Sequence, residues 1–161
     1  MAFTSTEPQI IEQAIATNST TQAHPLGTII RAVDATYGVG EFVYLKGVAS
    51  TAVGSVVEYD TSWQTGLATV AVEEPRPLAV AMSACVASEF GWYQISGEAV
   101  VKIATAVTFA AGAIISAGAG LGIVPVTALI IQNALVAVDA GTTSVRVMIN
   151  RPCATDKVVE A

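Results

Sequence analysis

The apolar residues of the chain come in short, alternating runs rather than along long helical faces. The cleanest run is 143–150, where Val145, Val147 and Ile149 alternate with Ser144, Arg146, Met148 and Asn150. A period of two places one set on each face of a β-strand. Earlier, residues 27–34 are rich in β-branched side chains and run into Asp34-Ala-Thr-Tyr-Gly38, a turn sequence. Residues 41–46 form a second predicted strand, stopped at Gly47, and residues 55–60 a third, preceded by Gly54. In 67–74, Val70 and Val72 face one way, and Thr69 and Glu73 the other. Pro75-Arg-Pro77 separates that run from 78–86, where Leu78, Val80, Met82, Ala84 and Val86 alternate with smaller residues. Predicted strands at 90–96 and 99–105 follow, and 130–138 with 143–150 reads as a closing hairpin around Asp139-Ala-Gly141.

No segment keeps a helical apolar period with caps at its ends. Residues 127–138 come nearest, but they are apolar on every side and rich in Ile and Val, which favours strand. Short β-rich runs spaced by Gly, Pro and Asp predict an all-β domain, a single small β-barrel or β-sandwich of jelly-roll-like kind. It is expected to span residues 25–153. Residues 1–24 stand apart: Thr17-Asn-Ser-Thr-Thr-Gln22 is polar and turn-prone, and Ile10, Ile11 and Ile15 offer only one turn of apolar face. They are expected to form an extended N-terminal arm that orders when it docks, and residues 154–161 a C-terminal tail.

One stretch changes the picture if read for charge. Between Lys102 and Asp139, from Ile103 to Val138, there is no ionisable side chain. A membrane helix needs about 20 consecutive apolar residues. Here Gly112, Gly118, Gly120, Gly122 and Pro125 break the run, and Thr105, Thr108, Ser116 and Thr127 interrupt it. No Trp/Tyr belt marks either end. Buried strands with Gly-rich connections are the expectation, with Gly118-Ala-Gly-Leu-Gly122 as a turn.

The whole chain of 161 residues suits one domain with a real core. It is 53% hydrophobic and only 12% charged, against about 25% charged in typical soluble domains. Its surface must therefore be covered largely by Ser, Thr, Gly, Ala and Gln. Such a surface suits a protein that lies against other protein. The net charge is −6, and Lys and Arg form no cluster, so a nucleic-acid partner has no electrostatic footing. The start, Met1-Ala-Phe-Thr-Ser-Thr-Glu-Pro, lacks the basic and apolar regions of a secretory leader, and the Asn18-Ser-Thr20 sequon is read as chance.

Candidate chemistry is sparse. His24 is the sole histidine, so a hydrolytic triad and most zinc sites would need it. It lies at the end of the polar arm, where a solvated loop side chain is expected and an oriented base is not. Glu58 and Asp60 share one face of a strand, and Glu73-Glu74 are adjacent. Such pairs serve hard cations or glycosidases, or simply solvate strand ends; the 6% aromatic content offers little sugar platform. Cys85 and Cys153 sit in no Cys-x-x-Cys, and two thiols are favoured over a bridge. Gly118-x-Gly120-x-Gly122 is not a dinucleotide fingerprint, and no phosphate-binding Gly-Lys-Ser/Thr exists. Trp92, with Phe90 and Tyr93, reads as a core or interface anchor, and Trp63 belongs to no stacking ladder. No catalytic, cofactor-binding or metal-ligating residue is expected.

Several segments carry a family resemblance. His24-Pro-Leu-Gly-Thr-Ile-Ile-Arg-Ala-Val-Asp34 is followed by Tyr37-Gly-Val-Gly-Glu-Phe-Val-Tyr-Leu-Lys-Gly-Val-Ala-Ser-Thr51. Later come Gly97-Glu-Ala-Val-Val-Lys102 and Thr143-Ser-Val-Arg-Val-Met-Ile-Asn-Arg-Pro152. Together they resemble the head decoration, or cement, proteins of tailed bacteriophages, over about residues 25–152. The resemblance implies a β-barrel-like body, often with an extended terminal arm, and no catalytic residues. It implies the major capsid protein of an icosahedral head as partner, with a homodimer or homotrimer at a two-fold or three-fold position. It also implies a place on the virion surface and no membrane partner. Other readings are another virion β-module (tail tube, fibre or baseplate), a carbohydrate-binding sandwich, and an enzyme built on His24.

Overall fold

The computed structural model describes residues 4–5, 12–68, 76–103, 109–117, 123–125, 130–137 and 143–155. The strands in chain order are β1 (Thr4–Ser5), β2 (Asn18–Ser19), β3 (Ile29–Asp34), β4 (Gly38–Lys46), β5 (Val56–Tyr59) and β6 (Thr65–Leu67). They continue with β7 (Arg76–Ala81), β8 (Phe90–Lys102), β9 (Ile114–Ala117), β10 (Ile123–Pro125), β11 (Ile130–Val136) and β12 (Ser144–Thr155). The protein is all-β, with no helix among the described residues.

The first hairpin shows how the local sequence makes its structure. In β3, Ile30, Ala32 and Asp34 are buried while Ile29, Arg31 and Val33 face outward. Asp34 then accepts hydrogen bonds at Oδ1 from the Thr36 and Tyr37 amides, at 2.7 and 3.1 Å. This side-chain turn, with Gly38 at φ +71°, reverses the chain into β4 as the sequence predicts.

All ladders between named strands are antiparallel, and the main order is β1-β3-β4-β8-β7-β12-β11-β9-β10. The β5–β6 hairpin lies beside β7, and β2 pairs with the start of β8. The sheet is not closed; one parallel bridge, Ile103 to Ile123, ties β10 back to the end of β8. Two long strands organise it. β8 pairs with β4 over Phe90–Ser96 and with β12 over Ser96–Lys102. It is one strand where residues 90–96 and 99–105 predict two. The sequence break at Gly97 is real but is used differently: its φ is +97°, and a Cβ there would run into the Val39 carbonyl. β12 follows β8 as far as Asn150. It then turns at Arg151, φ +49°, and pairs Cys153 and Ala154 with Pro77 and Arg76 of β7.

Other boundaries also move. β7 includes Pro77 and ends at Ala81 rather than 86, because Met82 and Ser83 bend away. β12 continues through Ala154 and Thr155, past 153, because β11 pairs with it there. The strand expected at 67–74 falls mostly outside the described residues, where β6 covers only its first position. The 127–138 region contains the strand β11, and β11 with β12 forms the expected antiparallel pair; the turn expected around Asp139-Ala-Gly141 lies outside the described residues.

The core has three parts, and the middle of the sheet is buried on both faces. From β4, Phe42 and Tyr44 point to one side with Ile15, Ile30, Met82 and Trp92, while Val43 and Leu45 point to the other with Val57, Tyr93 and Ile95. The third and largest part takes Val101 from β8 and Ile103 just after it, Val145, Val147 and Ile149 from β12, and Ile115, Ile123, Ile131 and Val136 from the uncharged stretch. That stretch thus supplies core strands, and no helix of the described residues is long and apolar enough to cross a membrane.

Candidate interaction surfaces

The expected solvated His24 is instead 6% exposed. Its ring lies 5.1 Å, centroid to centroid, from both Tyr44 and Trp92, and its Nε2 has no hydrogen-bond partner. The cause is the docking of residues 12–24 on the sheet. Gln13 donates from Nε2 to the Phe90 and Thr17 carbonyls at 2.9 and 2.8 Å, and accepts at Oε1 from the Tyr44 hydroxyl at 2.6 Å. The Gln13 carbonyl accepts from the Trp92 indole at 2.9 Å, and the Ala23 amide donates to the Tyr44 hydroxyl at 3.2 Å. His24 is walled by aromatic rings, and no described residue is hydrogen-bonded to its Nε2.

The remaining candidates are also placed by structure. Glu58 pairs with Arg76 at 3.2 Å. Asp60 accepts the Ser62 and Gln64 amides at 2.8 and 3.0 Å, capping the turn between β5 and β6. Both line a cleft of about 130 Å³, and one oxygen of each, Glu58 Oε1 and Asp60 Oδ1, is engaged by these partners. No group of three or more metal-ligating side chains converges among the described residues. Glu73, Glu74 and the Gly118–Gly122 turn lie outside them. Cys85 and Cys153 are both free thiols; burial pushes the Cys85 thiol up. Trp92 is a core anchor at 0% exposure. Trp63, at φ +61°, is covered by Gly27 and stacks on Tyr59 over the Val43–Tyr93 cluster.

What remains unaccounted for is apolar surface; among the described residues, Val53 and Val86 apart, its large side chains fall into two groups. On β9, β11 and β12, Leu135 pairs in register with Met148 on one side and Ile114 on the other. The three are 52%, 50% and 51% exposed in the order Ile114, Leu135, Met148, forming a row across adjacent strands. Beside the row, the β11–β12 ladder is interrupted. Asn133, at φ +57°, stands opposite Asn150, Arg151 and Pro152, and the register resumes at Gln132 and Cys153. A groove of about 570 Å³ runs here, floored by Ile131, Ala134 and Ile149 and rimmed by the amides of Gln132, Asn133 and Asn150. No charged side chain of the described residues lines it.

The second group lies on β3 and β4, where Val33 and Val39 face each other in register and Ile29 is also exposed. It carries ions. Glu41 binds Arg31 at 2.8 Å and Arg151 of β12 at 2.9 Å. The Arg31 hydrogen bond above all, with Arg151, holds the Glu41 carboxyl below its ordinary range against a smaller opposing effect of burial. Between the two groups in strand order, Glu98 of β8 is ion-paired with Arg146 of β12, whose guanidinium lies 5.3 Å from the Tyr37 ring centre. An ion-paired band therefore separates two apolar groups.

Sequence reasoning named Met148 as outward-facing but missed Ile114 and Leu135. Their exposure depends on pairing, not on their own neighbours. Comparison with protein-family models, curated proteins and solved structures found no match.

Proposed function

We propose that this chain is a head decoration protein of a tailed bacteriophage, binding the major capsid protein on the outside of the icosahedral shell and stabilising its expanded form. Its work is adhesion, not catalysis, and it belongs to the virion. The observation that carries the reading is the pair of exposed apolar groups split by an ion-paired band. A cement must grip two neighbours at once, and this surface offers two grips. The 12% charged content and the sequence resemblance from 25 to 152 support it.

In this reading the body is a barrel-like or sandwich-like β unit, which limits exposed strand edges. Residues 1–24 are the arm, anchored near its end by Gln13 and His24. Each contact is of ordinary size, about 800 Å² per partner. Many symmetric copies acting together then resist pressure from within the shell.

The test is addition of the purified protein to expanded and unexpanded shells of the parent phage. Binding to expanded shells alone, with a raised disruption temperature, is expected. No binding to either shell sinks the proposal, and density on the tail in particle images replaces it with a tail module.

A further inference from the structure

The two apolar groups lie on one face of the sheet. Ile29, Arg31 and Val33 point outward together from β3. Arg31 stands in register with Glu41, Glu41 with Ser96, and Ser96 with Asn150. On the same side of β8, Glu98, Val100 and Lys102 stand in register with Met148, Arg146 and Ser144 of β12. Met148 leads on to Leu135 and Ile114. Whatever covers both apolar groups also meets the charged band between them. Covering ionised groups costs free energy unless the partner supplies matching charge.

That band is not neutral. Two guanidiniums, those of Arg31 and Arg151, share the one carboxylate of Glu41. Arg146 pairs with Glu98, and Lys102 follows on β8. Among the described residues, this face gathers four of the chain's seven basic side chains and two of its thirteen acidic ones. On a chain of net charge −6 it is a local excess of positive charge. The carboxylates are also the shielded members: Glu41 and Glu98 are 17% and 14% exposed, against 67% for Arg31 and 59% for Arg151. A second copy set face to face would put arginine against arginine, which opposes contact. A nucleic-acid backbone would answer the arginines but leave Val33, Val39, Leu135 and Met148 without apolar cover. We propose that this face docks an acidic protein surface, one whose carboxylates are set among apolar side chains. A guanidinium carries five donors in a planar fork, so Arg151 can hold Glu41 and a partner carboxylate at once. The proposal deepens the decoration reading and rests on it only for the shell protein as bearer of those carboxylates.

The experiment measures binding of the whole chain to expanded shells of the parent phage. A second arm uses a short synthetic peptide alternating Glu with Leu, and its counterpart with Lys in place of Glu. Arg151→Glu and Lys102→Glu reverse charge on the face, and Arg151→Gln removes one charge more gently. Lys46→Glu makes the same change on the other side of β4, in step with Phe42 and Tyr44. Wild type and Lys46→Glu are expected to bind shells and acidic peptide alike. Each reversal on the face weakens that binding roughly tenfold, and Arg151→Gln weakens it less. Raising salt from about 0.05 to 0.5 M weakens wild-type binding through screening, whereas purely apolar contact persists. Charge-dependent shell binding supports the inference with or without the peptide. Shell binding indifferent to salt and to the face variants overturns it and leaves the decoration reading standing. Acidic-peptide binding that Arg151→Glu abolishes, in a chain that adds to no shell, keeps the inference and removes the decoration reading. Binding to neither removes both. A single-stranded DNA oligonucleotide held through Arg151 and Lys102, a preference for the Lys peptide, or self-association that Arg151→Glu dissolves overturns the inference by naming another occupant.

Discussion

Where residues 12–24 meet β4 and β8, the contact is keyed by polar atoms. One glutamine, Gln13, serves Tyr44, Trp92, Phe90 and Thr17 through its side chain and carbonyl, and His24 fills the space between two aromatic rings. Around β9–β12 the contact is aliphatic, with Ile115, Ile123, Ile131 and Val147 closing the core. The difference lies in tolerance. A buried hydrogen bond left unmade costs about 1–3 kcal/mol, so the keyed contact admits one register. Aliphatic packing asks mainly for volume. The second region accordingly carries the interruption at Asn133 and Arg151, and it keeps an apolar row outside.

Three substitutions test that contrast, read by denaturant unfolding and by the NMR resonances of the single histidine. Trp92→Ala has the largest expected effect, a loss of about 3–5 kcal/mol, because it removes a fully buried ring. It also opens one wall around His24, so the His24 resonances shift. Ile115→Ala costs about 2–5 kcal/mol through the cavity it leaves in the largest core part. The His24 resonances stay in place, since Ile115 belongs to another cluster; their movement in this variant would dissolve the distinction between the regions. Gln13→Ala is the mildest, at about 1–3 kcal/mol, from the partners it leaves unpaired. Amide exchange should quicken across residues 12–24 and not across β9–β12. Equal quickening in both would mean that the segment is no separate, keyed element.

Some of this architecture is legible in the chain. The alternation of Val145, Val147 and Ile149 marks one face of β12 because that face meets core from Val145 to Ile149. Asp34 with Gly38 marks a turn because the side chain itself makes the hydrogen bonds. By contrast, β9 went unforeseen, since Ile114-Ile-Ser-Ala117 is too short and shows no alternation of its own. His24 looked solvated because its walls, Tyr44 and Trp92, come from distant strands. For the candidate surface, Met148 was readable from its own strand, while Ile114 and Leu135 joined it only through register.

The sequence by itself determined that the chain forms strands, that their inward faces are apolar, and that little charge is left for the surface. Those properties depend on each residue and its near neighbours. Only the tertiary structure decided which apolar side chains stay outside and which of them meet. The row of Ile114, Leu135 and Met148 exists because three separate strands pair in one register. Register is the summed preference of a whole packed sheet, which no single segment contains.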